Sequence, residues 1–335
     1  MPGELTELTE IVTGLGMLSY ESAGAAAALR PTRLVNVSDA QWSRLERTVA
    51  APRYETSVHS AWANGRAFLQ ARDGLRGRPP LRIEWKGPQH PPGYDLLPSD
   101  LRVDHVYLVS CKYLSRILMN AAPGHLFDRA LAVRESSGRS DWYAEVAPVE
   151  YNGLYAEVRN FLADEKLPER RENLTRRDRD VIGSACAGQW PQELVDPARQ
   201  LARAVGNGSA ERWRSKLSTV RDQELMLWRL LRFNSSPYFV LGASAGRTLR
   251  LRIGTPWDWR QLYRLSSFQV SGSASAGQPR VEWTARVEKR DSHEPVELCG
   301  HVEVRWSHGK FCGSPEAKVY LDSPHESVPG YFALT

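Results

Sequence analysis

The stretch Leu101–Asn120 reads LRVDHVYLVSCKYLSRILMN. Its HVYLVSCKY part is rich in β-branched and aromatic residues and predicts a strand. That strand ends in Lys112, and helical spacing starts at once in LSRILMNAAPGHLFDRALAV, broken near Pro123 and Gly124. An ammonium at the end of so apolar a strand has two readings. It marks the strand's exit to solvent, or it stands beside carboxylates at a phosphate site.

Upstream, PLRIEWKG alternates strictly, with Leu81, Ile83 and Trp85 on one face and Arg82, Glu84 and Lys86 on the other. The Pro-rich PQHPPGYDLLPSD joins the two strands as a loop. Two helices are expected before them. One is VSDAQWSRLERTVA, capped by Ser38, and the other is ETSVHSAWANGRAFLQARDGL, closed by Gly74 and Gly77. Helix, strand, loop, strand, helix defines an α/β core with a mixed sheet flanked by helices, over residues 1–147.

Residues 148–233 are expected to be a helical segment. It includes GLYAEVRNFLADEKL, DPARQLARAV and a long helix from Ser209 through SAERWRSKLSTVRDQELMLWRLLRF. Residues 234–335 alternate cleanly in RTLRLRIG, RVEWTARVEKR and HVEVRWS, which predicts an antiparallel β-rich domain with one buried and one wet face. Arg250 and Arg252 fall on the wet face.

The chain has 335 residues, 41% hydrophobic and 25% charged, as expected of a soluble globular protein. No apolar run is long enough to span a membrane, and the N-terminus carries acids where a secretory signal carries bases, so a cytoplasmic place is expected. The net charge of +5 permits nucleic-acid binding without demanding it. Most of the eleven tryptophans are expected in the core.

Strand alternation puts Ser110 with Lys112 on one face and Glu84 with Lys86 on one face. If the strands are neighbours, Glu84 approaches Lys112. Asp95, Asp100 and Asp104 lie in or after the joining loop. Eight residues of unbroken strand would hold Asp104 about 26 Å from Lys112, so Asp104 needs a turn near His105 to take part.

This order resembles the PD-(D/E)XK nuclease superfamily, to which restriction endonucleases belong. The likeness rests on Asp100 or Asp104, with Asp95 as another start, followed by SCKY with Lys112 in the lysine position. It covers about a third of the chain. It implies a nuclease-like core and a Mg²⁺-dependent DNA endonuclease, with Mn²⁺ as substitute, working in restriction-modification or phage defence. Glu84, Asp100 and Asp104 become the candidate metal ligands and Lys112 the catalytic lysine. Ser110 stands where the family has Asp or Glu. That replacement motivates the alternative, a non-catalytic nucleic-acid- or partner-binding protein with a degenerate nuclease core. A scaffold with no nucleic-acid role is a third reading, and a homodimer is compatible with all of them.

Arg250, Arg252, Arg305, His308 and Lys310 are the candidate DNA contacts of the β-rich domain. Cys299, His301, His308 and Cys312 are permitted zinc ligands, but their spacing matches no common finger, so structural Zn²⁺ is not expected. Glu316 and Lys318 form a second E-x-K, read as a surface pair. No GxSxG elbow, phosphate loop or GxGxxG appears.

Overall fold

The computed structural model describes residues 3–87, 99–113, 117–128, 141–163, 166–244, 246–275 and 277–335. The chain opens with α1 (Glu4–Gly16), α2 (Ala23–Leu29), β1 (Leu34–Val35), α3 (Asp39–Val49) and α4 (Glu55–Gln70). Strands β2 (Ile83–Trp85), β3 (Leu101–Val103), β4 (Tyr107–Lys112) and β5 (Ile117–Ala121) follow. Then come α5 (Pro123–Phe127), α6 (Trp142–Val146), α7 (Pro148–Leu162), α8 (Arg176–Ala185), α9 (Val195–Lys216) and α10 (Val220–Leu230). The rest is β6 (Tyr238–Ser244), β7 (Arg247–Ile253), α11 (Pro256–Leu262), β8 (Tyr263–Ser275), β9 (Gln278–Lys289), β10 (Pro295–Arg305), β11 (Glu316–Leu321) and β12 (Tyr331–Ala333).

Two units result, and their borders differ from the expected 1–147, 148–233 and 234–335. The first unit gathers Met1–Arg116, Arg232–Gln261 and His325–Thr335; the second gathers Ile117–Leu231 and Leu262–Pro324. The β-rich third zone is therefore not one domain. Its first strands and its last belong to the first unit's sheet, and those between belong to the second.

In the first unit seven strands run in the order β1-β2-β3-β4-β6-β7-β12. The β2-β3-β4 meander is antiparallel, and β6 lies parallel to β4. Helices α1 and α4 pack on one another where Gly16 meets Gly65; a Cβ on Gly65 would stand 2.2 Å from the Thr13 carbonyl oxygen. Backbones this close leave no room for side chains, so glycine is required at the crossing. Leu8, Ile11, Leu15, Ile83, Trp85 and Val109 are among the residues that close the core beneath them. The Ser38 cap is present as a full capping box, with the Ser38 amide donating to Gln41 Oε1 at 2.9 Å.

In the second unit five antiparallel strands run in the order β5-β11-β10-β9-β8. Helix α9 packs on β8 and β9. Phe127, Trp213, Phe268 and Trp283 form a chain of ring contacts 5.2 to 6.2 Å apart. Among the described residues seven of the eleven tryptophans are buried, as their apolar area favours.

Two local expectations are corrected. Within the expected helix after Lys112, Ile117–Ala121 is instead β5, held by pairing with β11, while Pro123–Phe127 is helical as α5. Ser209 does not cap a helix either; it is buried inside α9, and the helical run breaks at Leu217 before Thr219 caps α10. Among the described residues no helix is long and apolar enough to cross a membrane.

Candidate functional site

The hairpin that carries Lys112 is sharply turned. Asp104 and His105 both take left-handed backbone, with φ of 49° and 60°, and the Val106 amide donates to the Val103 carbonyl at 3.0 Å. Short polar side chains tolerate this region better than most. The turn near His105 therefore exists, yet it puts Asp104 at the far end of β4 from Lys112. Five strand steps separate Tyr107 from Lys112, about 16 Å. Asp104 instead accepts hydrogen bonds from the Leu81 and Arg82 amides at 2.8 and 3.0 Å.

Glu84 is also drawn elsewhere. It is buried on the opposite sheet face from Trp85, and it pairs with Arg102, with Arg82 at 3.0 Å and with His105 at 3.7 Å. Neither Glu84 nor Asp104 serves as the expected partner of Lys112. Asp95 lies outside the described residues.

Asp100 is brought to the Lys112 end. It sits just before β3, where its amide donates to the Val109 carbonyl at 2.9 Å. Its Oδ2 accepts from the Cys111 amide at 2.6 Å and from the Ser110 hydroxyl at 3.3 Å. Burial pushes the Asp100 carboxyl up, while the Cys111 amide, the Lys112 and Lys86 ammonium groups and Ser110 pull it down. Ser110, at the position where the resemblance expects an acid, thus contributes a hydroxyl to Asp100 rather than a second carboxylate.

The second acid at this point is Glu10 of α1, which the sequence reading passed over. It is only 8% exposed, and Trp85 Nε1 donates to its Oε2 at 2.7 Å. Burial first, and then the nearby Asp100 charge, push its carboxyl to about 8; the Trp85 bond and Lys112 act against them. The signal in ELTELTEIVTGLG is faint: Glu10 sits in helical phase with Thr13 and next to Leu8 and Ile11, but it is equally in phase with Glu7. Cys111 lies among these groups, but burial and the two acids push its thiol well above the ordinary range, which disfavours a thiolate nucleophile.

A second layer fixes the strand end. Tyr113 shares a hydrogen bond of 2.7 Å with the Thr13 hydroxyl and accepts one from Asn64 Nδ2 at 3.2 Å. The same Asn64 nitrogen donates to the Gly242 carbonyl at 3.0 Å, and Arg250 Nε donates to Asn64 Oδ1 at 2.9 Å. Gly242 faces Lys112 in the β4–β6 ladder, where a Cβ would lie 2.0 Å from the Lys112 carbonyl oxygen.

The expected DNA contacts do not share one surface role. Arg250 lies under α4 instead of facing water; strand alternation tells which residues share a face, not what covers it. Arg252 stacks over Phe332 at 4.7 Å, and Arg305 pairs with Glu303 at 3.5 Å. His308 is exposed, and Lys310 donates to the Cys186 and Gly188 carbonyls. Three of the four candidate zinc ligands have other contacts. His301 pairs with Asp322 at 2.7 Å, Cys299 lies 3.5 Å from the Ser323 hydroxyl, and Cys312 contacts the Arg179 carbonyl at 3.1 Å. Glu316 and Lys318 do pair, at 3.7 Å.

Among the described residues no group of three or more His, Cys, Asp and Glu side chains is placed to hold a metal. The donors gathered at the site are the Glu10 and Asp100 carboxyls and the Ser110 hydroxyl. All are hard oxygen donors, which suit an ion such as Mg²⁺ better than a soft metal. No family model, no curated protein and no solved structure matches the chain.

Proposed function

We propose that the protein is a divalent-metal-dependent nuclease of the PD-(D/E)XK type that hydrolyses phosphodiester bonds of DNA. The observation that carries the reading is the junction of Glu10, Asp100 and Lys112. Glu10 is buried and Asp100 half-buried, on separate elements; the Asp100 charge raises Glu10, and the same Lys112 ammonium pulls both acids down. A pair of like charges out of water is costly unless a cation is shared between them. When bound, Mg²⁺ lowers the pKa of a coordinated water and screens the phosphate oxygens.

The chain's own groups then have distinct tasks. Glu10 and Asp100 hold the ion, the first oriented by Trp85 and the second by the Cys111 amide and Ser110. Lys112, half-exposed at the strand end, faces the developing negative charge or orients the attacking water. Lys86, next to β2, adds positive charge on the Asp100 side.

A second reading has its own observation. With Ser110 in the acid position, two carboxyls remain where a hydrolytic site is better served by more, and a nucleic-acid-binding protein without cleavage would need no third. One assay decides. The purified protein is incubated with duplex and single-stranded DNA in Mg²⁺ or Mn²⁺ and compared with Lys112→Ala, Glu10→Gln and Asp100→Asn. Cleavage should fall at least 100-fold in each variant, the range seen when a charge-stabilising donor is removed. Equal activity in wild type and variants, or none in any, removes the enzyme reading. Salt-sensitive DNA binding would then support the second reading.

A further inference from the structure

The second unit holds a cavity of about 290 Å³ that the proposed chemistry does not use. Its floor is apolar and buried, with Leu154, Leu201 and Ala202. Its walls carry the aromatic surfaces of Tyr143, Trp190 and Trp306. Turns at Gly188, Gly277 and Gly309, all with left-handed φ, border it. Side chains at 188 and 277 would meet nothing within 4 Å, so the mouth stays open at these turns.

One cation is built into this wall. Lys310 Nζ lies 4.2 Å from the centre of the Trp190 ring and donates to the Cys186 and Gly188 carbonyls at 2.5 and 2.8 Å. The ammonium is thus fixed in place by three contacts, not left to swing in solvent. Burial pulls it below the usual lysine range. On the exposed rim, Gln278 offers an amide that both donates and accepts.

Flat π-faces, a fixed positive charge and an amide edge define a narrow ligand class. The ligand is a planar ring with hydrogen-bonding groups at its edge and electron-rich acceptors toward the cation. An aliphatic chain would leave the ammonium facing hydrocarbon. A bare phosphate would leave the aromatic walls and the apolar floor unused. The size is at the lower end for small-molecule sites, which run from about 300 Å³ upward, and suits one ring system with little attached. Every base presents a π-face that can stack on aromatic side chains.

We propose that this cavity binds a single nucleobase. The base comes either from a free nucleotide or from a strand whose base is turned out of its stack, and both present the same ring to the same wall. The site lies wholly within the second unit, so the inference stands apart from the nuclease reading and survives its failure.

The test is calorimetric titration of the full-length protein. One arm uses the four deoxynucleoside 5′-monophosphates. Another uses a short single-stranded oligonucleotide, its copy with one abasic position, deoxyribose 5-phosphate and benzoate. Binding of a monophosphate assigns the free nucleotide; binding of the oligonucleotide alone, at least tenfold weaker for the abasic copy, assigns the turned-out base. In either case Ala202→Phe, which fills the floor, should weaken binding at least tenfold. Gln278→Ala, on the exposed rim where folding is not at stake, should reduce the preference among bases at least threefold. The inference is overturned if no base-bearing ligand binds, if deoxyribose 5-phosphate or the abasic strand binds equally well, if benzoate matches the nucleotides, or if neither substitution alters binding.

Discussion

Glu10 places a carboxyl on the inward side of a helix otherwise lined by Leu8, Ile11 and Leu15, and its titration carries a stability consequence. In the metal-free protein its pKa is raised from 4.5 to about 8. Below pH 4.5 the group is protonated folded and unfolded, and it contributes no pH dependence. Between pH 4.5 and 8 the unfolded chain gives up this proton while the folded chain keeps it, so the folded state is progressively disfavoured as pH rises. Above 8 the full penalty is present. Glu10→Gln keeps an acceptor for Trp85 and cannot ionise. In EDTA its stability advantage over wild type should therefore grow from pH 5 to pH 9, by a few kcal/mol, since one pKa unit corresponds to about 1.4 kcal/mol. Urea midpoints across that range measure it. Parallel curves for the two proteins would mean that Glu10 is not the buried, raised acid described above. Legibility at this scale was uneven: Lys112 stands out because it ends an apolar run, whereas Glu10 sits in a pattern where neighbouring Glu4 and Glu7 face solvent or the helix's first turn. Only the three-dimensional approach of α1 to the β2 end distinguishes it.

At the scale of elements, the end of β4 is held by what surrounds it. The strand itself was readable from HVYLVSCKY, and so was the cap at Ser38, because each depends on local preference alone. The segment Ile117–Ala121 carries a helical preference through Leu, Met and Ala, but pairing with β11 supplies backbone hydrogen bonds that override it. Gly242 is the contact on which the Lys112 position rests most directly. In Gly242→Ala the new methyl would meet the Lys112 backbone, so β4 and β6 must separate locally. Forcing extra volume into a packed site costs about 1–3 kcal/mol. The variant should lose that much stability and, if the nuclease reading holds, lose cleavage with it. Gly153→Ala is the contrast: in α7 its new Cβ meets nothing within 4 Å, and it should be neutral or stabilise by up to about 1 kcal/mol. Equal urea midpoints for Gly242→Ala and wild type would show that the ladder can yield there without cost.

For the whole molecule, the division into units was the least legible feature, because pairing partners lie far apart in sequence. RTLRLRIG and RVEWTARVEKR look alike as alternating strands. One joins β6 and β12 in the first unit, and the other joins β8 and β10 in the second. Nothing in the alternation of Leu249, Leu251 and Ile253 says that β6 runs beside β4, more than a hundred residues earlier. The same separation sets an order of folding. The β8–β9–β10 meander closes through short connections, whereas the β4–β6 ladder must close a loop that contains most of the second unit. Longer loops cost more entropy before any contact rewards them, and non-local pairings form more slowly. Refolding followed by pulsed hydrogen exchange should therefore protect the amides of Val281, Trp283 and Val287 before those of Val240 and Leu241. Simultaneous protection of both sets would mean that the two units fold as one cooperative body, with the first unit's sheet assembling no later than the second's.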